Sequence, residues 1–99
     1  MMEMDIVAII INIPCPTFEE ADKHARILMK KELCGLVRIY RDVNQIYFTE
    51  EGEVDGEDIV MLAIKTTQKN LKEIEAYMLK NHSWGTPCID VTPIVTDHC

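Results

Sequence analysis

Two side chains in the segment Asn81-His82-Ser83-Trp84-Gly85-Thr86-Pro87 have the chemistry to hold a ligand. An imidazole is the commonest side-chain ligand for first-row metal ions near neutral pH, so His82 is a candidate metal ligand; otherwise it is a solvated or hydrogen-bonded loop histidine. Trp84, the single tryptophan, can line a ligand pocket beside Gly85, or pack on the sheet or a neighbouring subunit as a large apolar payload. The remaining donors are scattered. Cys15, Cys34, Cys88 and Cys99 form no CxxC pair and no zinc spacing, and read as reduced thiols used mostly as small buried hydrophobes. His24 falls at the border of a helix stripe and reads as structural or solvated. His98-Cys99 reads as a frayed tail. Glu50, Glu51, Glu53, Asp55, Glu57 and Asp58 offer oxygens for a hard cation, but such a run at a hairpin tip is usually a solvated face.

The elements that position these groups follow from the hydrophobic pattern. Ile6–Ile13 is an apolar run broken only by Asn12 and predicts an interior strand, which Pro14 and Pro16 should stop because proline cannot donate to a ladder. Thr17-Phe18-Glu19-Glu20 is a capping box, opening a helix to about Leu33 with Gly35 as its C-terminal cap. Its buried stripe is Phe18, Ala21, Ala25, Leu28 and Met29. Leu36 to Thr67 reads as a β-hairpin with unusually long arms around the acidic, two-glycine tip. Val37, Ile39 and Val43 share one parity while Ile46 and Phe48 take the other, which predicts a bulge near Asp42–Gln45. Thr66 or Thr67 can cap a second helix to about Asn81, striped by Leu71, Ile74 and Met78. Cys88–Ile94 is a last strand, with Pro93 suited to an edge. The order strand, helix, strand, strand, helix, strand predicts an α+β fold. It is the ferredoxin-like βαββαβ sandwich, an antiparallel sheet with two helices on one face and a long protruding hairpin. So short a chain covers both faces of so long a ribbon poorly, which points to partner subunits.

Composition bounds the function. Ninety-nine residues make one domain, 1–99, and 47% hydrophobic with 27% charged residues is ordinary globular composition. A net charge of −7 argues against nucleic acid and anionic membrane as partners, since both need basic surface. The apolar run Ile6–Ile13 is too short to span a bilayer and follows Glu3 and Asp5 rather than a basic segment, so a cytoplasmic protein is expected.

The fold hosts several chemistries that this chain does not match. Copper chaperones of this shape carry paired cysteines after the first strand, where Pro14-Cys15-Pro16-Thr17 has one thiol. Acylphosphatase-like enzymes need a phosphate-holding arginine there, and Glu19 and Glu20 would repel the anion. RNA-recognition domains need exposed sheet aromatics, which Ile59–Ile64 lacks. No nucleophile, base and orienting partner stand at a recognisable spacing, so binding rather than catalysis is expected.

Several stretches share an order and spacing with one family. They are the apolar first strand ending near Pro14; Glu19-Glu20-Ala21; Lys31-Glu32-Leu33 running through Cys34-Gly35-Leu36-Val37; Ile46-Tyr47 followed by Gly52; Ile64-Lys65-Thr66; and His82-Ser83-Trp84-Gly85-Thr86-Pro87. On these the chain resembles the CutA divalent-cation tolerance family, from Ile6 to Ile94. The resemblance implies a homotrimer whose hairpin arms reach around neighbours. It also implies similarity to PII signalling proteins, which bind small ligands in intersubunit clefts, and a link to tolerance of copper and other divalent cations with no established enzymatic activity. Of the copper ligands proposed in the family only His82 carries over; Ile11 and Asn81 stand where the cysteine and the first histidine would be. The cofactor implied is thus Cu(II) or another divalent cation at His82. A small ligand is expected in an intersubunit cleft near Trp84, Lys65 and Thr66. A PII-like signalling or interaction module without a metal role is the alternative.

Overall fold

The computed structural model describes residues 6–95, so the His98-Cys99 tail and the residues before Ile6 lie outside the described part. The elements are β1 (Ala8–Cys15), α1 (Phe18–Lys30), β2 (Leu36–Phe48), β3 (Val54–Thr66), α2 (Leu71–Asn81) and β4 (Asp90–Ile94), with a 3₁₀ turn over Gln68–Asn70 leading into α2. All neighbours in the sheet are antiparallel, in the order β2-β3-β1-β4. This is the expected ferredoxin-like sandwich.

Alternation builds the core. Ile9, Ile11, Ile13 and Cys15 pair across β1 and β3 with Thr66, Ile64, Leu62 and Val60, and all eight are buried on the helix side of the sheet. Ala21, Ala25 and Leu28 of α1 and Ile74 and Met78 of α2 close over them. Each fully buried Leu or Ile contributes about 1.5–3 kcal/mol.

The first strand runs through Pro14 to Cys15 rather than stopping at Ile13. β4 pairs with β1 only as far as Asn12, so beyond that point β1 has β3 on one side and, among the described residues, no strand on the other. A proline is tolerated where its missing N–H faces the vacant side. β4 itself is shorter than expected, starting at Asp90, and is an edge strand, which accommodates Pro93.

The first helix ends at Lys30, and its cap is not Gly35. Glu32 adopts the left-handed conformation (φ 58°), its N–H bonds to Met29 O, and Leu33 N–H bonds to Leu28 O. That pair of bonds is a Schellman motif, with Leu33 and Leu28 supplying its apolar contact. The Gly35 amide instead bonds to Lys65 O, and starts the hairpin.

Each hairpin arm is 13 residues long. The pairing shifts between Tyr40 and Val43, with Asp42 at φ 59°, so the predicted bulge is present. It keeps the apolar parity change on one face: Val37 and Ile39 oppose Ile64 and Leu62, and past the bulge Ile46 and Phe48 oppose Gly56 and Val54. At the tip, Gly52 at φ 81° follows a turn closed by its own N–H on Thr49 O, a geometry glycine adopts without strain. Neither Thr66 nor Thr67 caps the second helix by side chain. Thr66 is the last residue of β3 and donates its hydroxyl to Leu33 O at 2.6 Å; Thr67 precedes the 3₁₀ turn without a side-chain bond to it.

Candidate metal centre

Three elements converge where β4 leaves β1 unpaired. The end of β1 carries Cys15 on its buried face. Thr17 then starts α1, its hydroxyl accepting the Glu20 N–H at 3.2 Å, which is half of the predicted capping box. The Glu20 carboxylate does not reach back to complete it. It points inward, and accepts from His24 Nε2 at 2.9 Å and from the Ser83 N–H at 3.1 Å. The end of α2 delivers His82, whose own N–H still bonds to Met78 O before the backbone turns extended. Gly85, at φ 80°, donates its N–H to His82 O and folds Trp84 back over the imidazole, with ring centroids 5.2 Å apart.

Hydrogen bonding fixes the state of each group. His82 is buried, with Nε2 2.8 Å from Pro14 O. A carbonyl only accepts, so Nε2 carries the proton. Nδ1 therefore presents a lone pair, which accepts the Trp84 N–H at 3.1 Å and lies 3.7 Å from Glu20 Oε2. His82 thus occupies the backbone partner position that β4 does not fill. His24, buried between the helices and not solvated, donates Nε2–H to Glu20, so its Nδ1 accepts the Tyr77 hydroxyl at 2.8 Å. Its ring lies 5.9 Å from that of His82 in a near-parallel arrangement.

Burial of Glu20 disfavours its charge, but the hydrogen bonds from Ser83 and His24 outweigh it and pull the carboxyl down to about 2. Burial, with the Glu20 charge second, pushes the Cys15 thiol up to about 12. The same two influences, burial first, raise Tyr77, in keeping with its role as a donor. The site therefore holds a fixed anionic carboxylate, a neutral imidazole whose Nδ1 lies 3.7 Å from it, and a protonated thiol. One ligating atom each from Cys15, Glu20 and His82 lie within 4.8 Å of one another. Sulfur, carboxylate oxygen and imidazole nitrogen are the donor types for borderline divalent ions, so the residues present fit such an ion.

The structure brings Trp84 to His82 but does not bring Lys65 and Thr66 there within one chain. Thr66 pairs with Ile9 and Cys15 with Val60, so the two places are six residues, about 20 Å, apart along β1. Lys65 and Thr66 instead line a cavity of about 330 Å³ with Val7, Ala8, Gly35, Leu36 and Thr67. The Thr66 hydroxyl there also accepts from Asn70 Nδ2 at 3.1 Å, and so ties the start of α2 to the end of α1. Cys34 is half-buried and Cys88 exposed, so only Cys15 of the described cysteines is a fully buried small hydrophobe.

A sequence model of the CutA1 divalent ion tolerance protein family matches residues 9–98. The chain belongs to the CutA1 family. A protein of Archaeoglobus fulgidus named divalent-cation tolerance protein CutA is 31% identical over 84 residues, spanning 85% of this chain and 80% of that one. Among solved structures, the periplasmic divalent cation tolerance protein CutA of A. fulgidus superposes at a TM-score of 0.85 with 27% identity, over 93% of this chain and 88% of that chain. The divalent cation tolerance protein of Thermus thermophilus superposes at 0.86 with 25% identity and the same two coverages. In this CutA1 chain, Glu20 supplies the negative charge beside the loop histidine, and His24 holds it in place.

Proposed function

We propose that this CutA1-family chain acts in divalent-cation tolerance by binding a cation at His82, copper or another divalent ion, rather than by catalysis. The observation carrying this reading is the 3.7 Å approach of His82 Nδ1 to the ionised Glu20 carboxylate. A ring nitrogen and an anionic oxygen at that separation offer a cation two donors once the Trp84 amide releases Nδ1. The nearest competing role, a general base, lacks a nucleophile, since Tyr77 and Cys15 are both shifted toward their protonated forms.

The working unit in this reading is a cytoplasmic homotrimer. Ile46, Phe48 and Val54 are 71%, 75% and 68% exposed on one face of the hairpin tip, an apolar strip that a single chain leaves bare. In the same reading the cavity at Lys65 and Thr66 faces another subunit's His82 and Trp84 across a cleft for a small polar ligand. That strip also favours a second reading, a PII-like interaction module whose hairpins engage another protein. No helix among the described residues is long and apolar enough to cross a membrane.

The test is a Cu²⁺ titration followed by Trp84 fluorescence, on a chain carrying Cys34→Ser, Cys88→Ser and Cys99→Ser. Saturable quenching at low micromolar metal, lost in His82→Gln, is the expected result. Quenching that is weak, or equal in the variant, removes His82 as a ligand and favours the interaction module. Native mass spectrometry should give three times the 11.4 kDa chain; a monomer refutes the intersubunit cleft.

A further inference from the structure

We propose that Cys15 is the third donor at this site. Its thiolate, the Glu20 carboxylate and His82 Nδ1 together take a thiophilic divalent ion of the Zn²⁺ or Co²⁺ class, and the Trp84 amide leaves His82 when they do. This rests on the cation-binding reading above, and adds an ion class and a moving part.

Geometry and charge both support the set. Donors around a small tetrahedral ion sit about 3.5 Å apart, given bond lengths of about 2.0–2.3 Å. His82 Nδ1 and Glu20 Oε2 are already at 3.7 Å, and the Cys15 sulfur lies within 4.8 Å of a ring nitrogen of His82 and a carboxylate oxygen of Glu20. Cys15 is fully buried, with only a long contact from Sγ to Ile13 O at 4.0 Å, so among the described residues its sulfur has no strong polar partner to give up. One thiolate, one carboxylate and one neutral imidazole sum to −2, which a divalent ion balances without leaving net charge in a buried place. Mg²⁺ and Ca²⁺ prefer oxygen-rich shells and gain little from sulfur and nitrogen. Coordination by Cys15 forms a sulfur–metal bond, breaks the S–H bond and releases one proton to solvent, with no change of oxidation state.

The coupling to Trp84 follows from the tautomer. Nε2 of His82 is committed to Pro14 O, which leaves Nδ1 a single lone pair, now engaged by the Trp84 N–H at 3.1 Å. That lone pair serves either the amide or an ion. Uptake by Cys15, Glu20 and His82 therefore frees the Trp84 amide, and the turn ending at Gly85 carries the half-exposed indole to a new position. The loop becomes a surface that differs between empty and loaded protein.

A Co²⁺ titration of the Cys34→Ser, Cys88→Ser, Cys99→Ser chain tests the donor set, because Cys15 is then the only thiol. We expect a thiolate-to-cobalt charge-transfer band in the near ultraviolet that saturates at one ion per chain. Adding Cys15→Ala should abolish it and weaken uptake by at least about tenfold, and Glu20→Gln should weaken uptake with the band retained. Circular dichroism confirms that each variant folds, and Cys15→Ser serves as the second variant if Cys15→Ala does not. Uptake that depends on His82 but shows no such band overturns the role of Cys15 and leaves the cation-binding reading intact. Absence of any saturable uptake overturns both. Closed-shell Zn²⁺ then tests the loop: displacement of Co²⁺ with a shift in Trp84 emission supports release of the amide, and an unchanged emission spectrum in loaded protein refutes it.

Discussion

His24 Nε2 donates to the Glu20 carboxylate at 2.9 Å, one helical turn away on α1. The contact is one link in a chain that starts at the Tyr77 hydroxyl on α2, crosses through His24 to Glu20 on α1, and returns to the α2 end through the Ser83 amide. Every buried side-chain nitrogen and oxygen among the described residues has a partner. A polar network that is fully satisfied in this way fixes one arrangement of the two helices, and it holds the Glu20 carboxylate facing His82.

Tyr77→Phe removes the donor to a buried imidazole nitrogen and should destabilise the fold by about 1–2 kcal/mol in urea unfolding. In a His24→Leu background the same change should cost less than about 0.5 kcal/mol, because the partner is already gone. Equal costs in the two backgrounds would mean that Tyr77 and His24 do not act together.

Stability should also carry the mark of Glu20 at low pH. Its folded carboxyl titrates at about 2, below its ordinary value of 4.5, so between these values the unfolded chain binds more protons than the folded one. The contribution of Glu20 is thus complete above about pH 4.5 and is lost as the pH falls toward 2. Urea midpoints of the native chain and Glu20→Gln should differ most at neutral pH and converge as the solution is acidified through that window. A constant difference would show that the carboxylate is not held in its charged form.

Glu32 occupies a left-handed conformation that disfavours a side chain by about 1–2 kcal/mol. Glu32→Gly should relieve that strain, offset in part by the greater freedom of glycine in the unfolded chain, and stabilise the protein by up to about 1 kcal/mol. The check is an upward shift in urea midpoint with an unchanged denaturant slope. A downward shift would mean that the Glu32 side chain supports the cap.

Glu32 also shows where the sequence was opaque. Gly35 looked like the cap because glycine is the residue that usually takes that conformation, yet the cap position is chosen by which amides can reach Leu28 and Met29. The hairpin was legible because parity is a two-residue code, and a change of parity between Ile39 and Ile46 has few explanations other than a bulge. The site was half legible. His82 and Trp84 stood out by type in a loop. Cys15 did not, because Pro14 and Pro16 read as the end of the strand that buries it, and Glu20 read as a capping side chain. The overlooked signal was the spacing of Glu20 and His24, four residues apart on one helix face.

The apolar strip at the hairpin tip makes the last prediction. Phe48 and Val54 oppose each other across the strands, with Ile46 beside them, and all three project from the helix side of the sheet beyond the reach of either helix. Water contact with so much aliphatic and aromatic surface is unfavourable by roughly 25 cal/mol for each Å² left uncovered, so a second copy seated on the strip would gain directly from covering it. Phe48→Ser with Val54→Ser should therefore shift the assembly toward monomer in analytical ultracentrifugation. The far-ultraviolet circular dichroism of the subunit should stay unchanged, because neither side chain belongs to the buried core. If the doubly substituted chain sediments like the native one, the strip is not the subunit contact, and the hairpin is left free to engage a different protein.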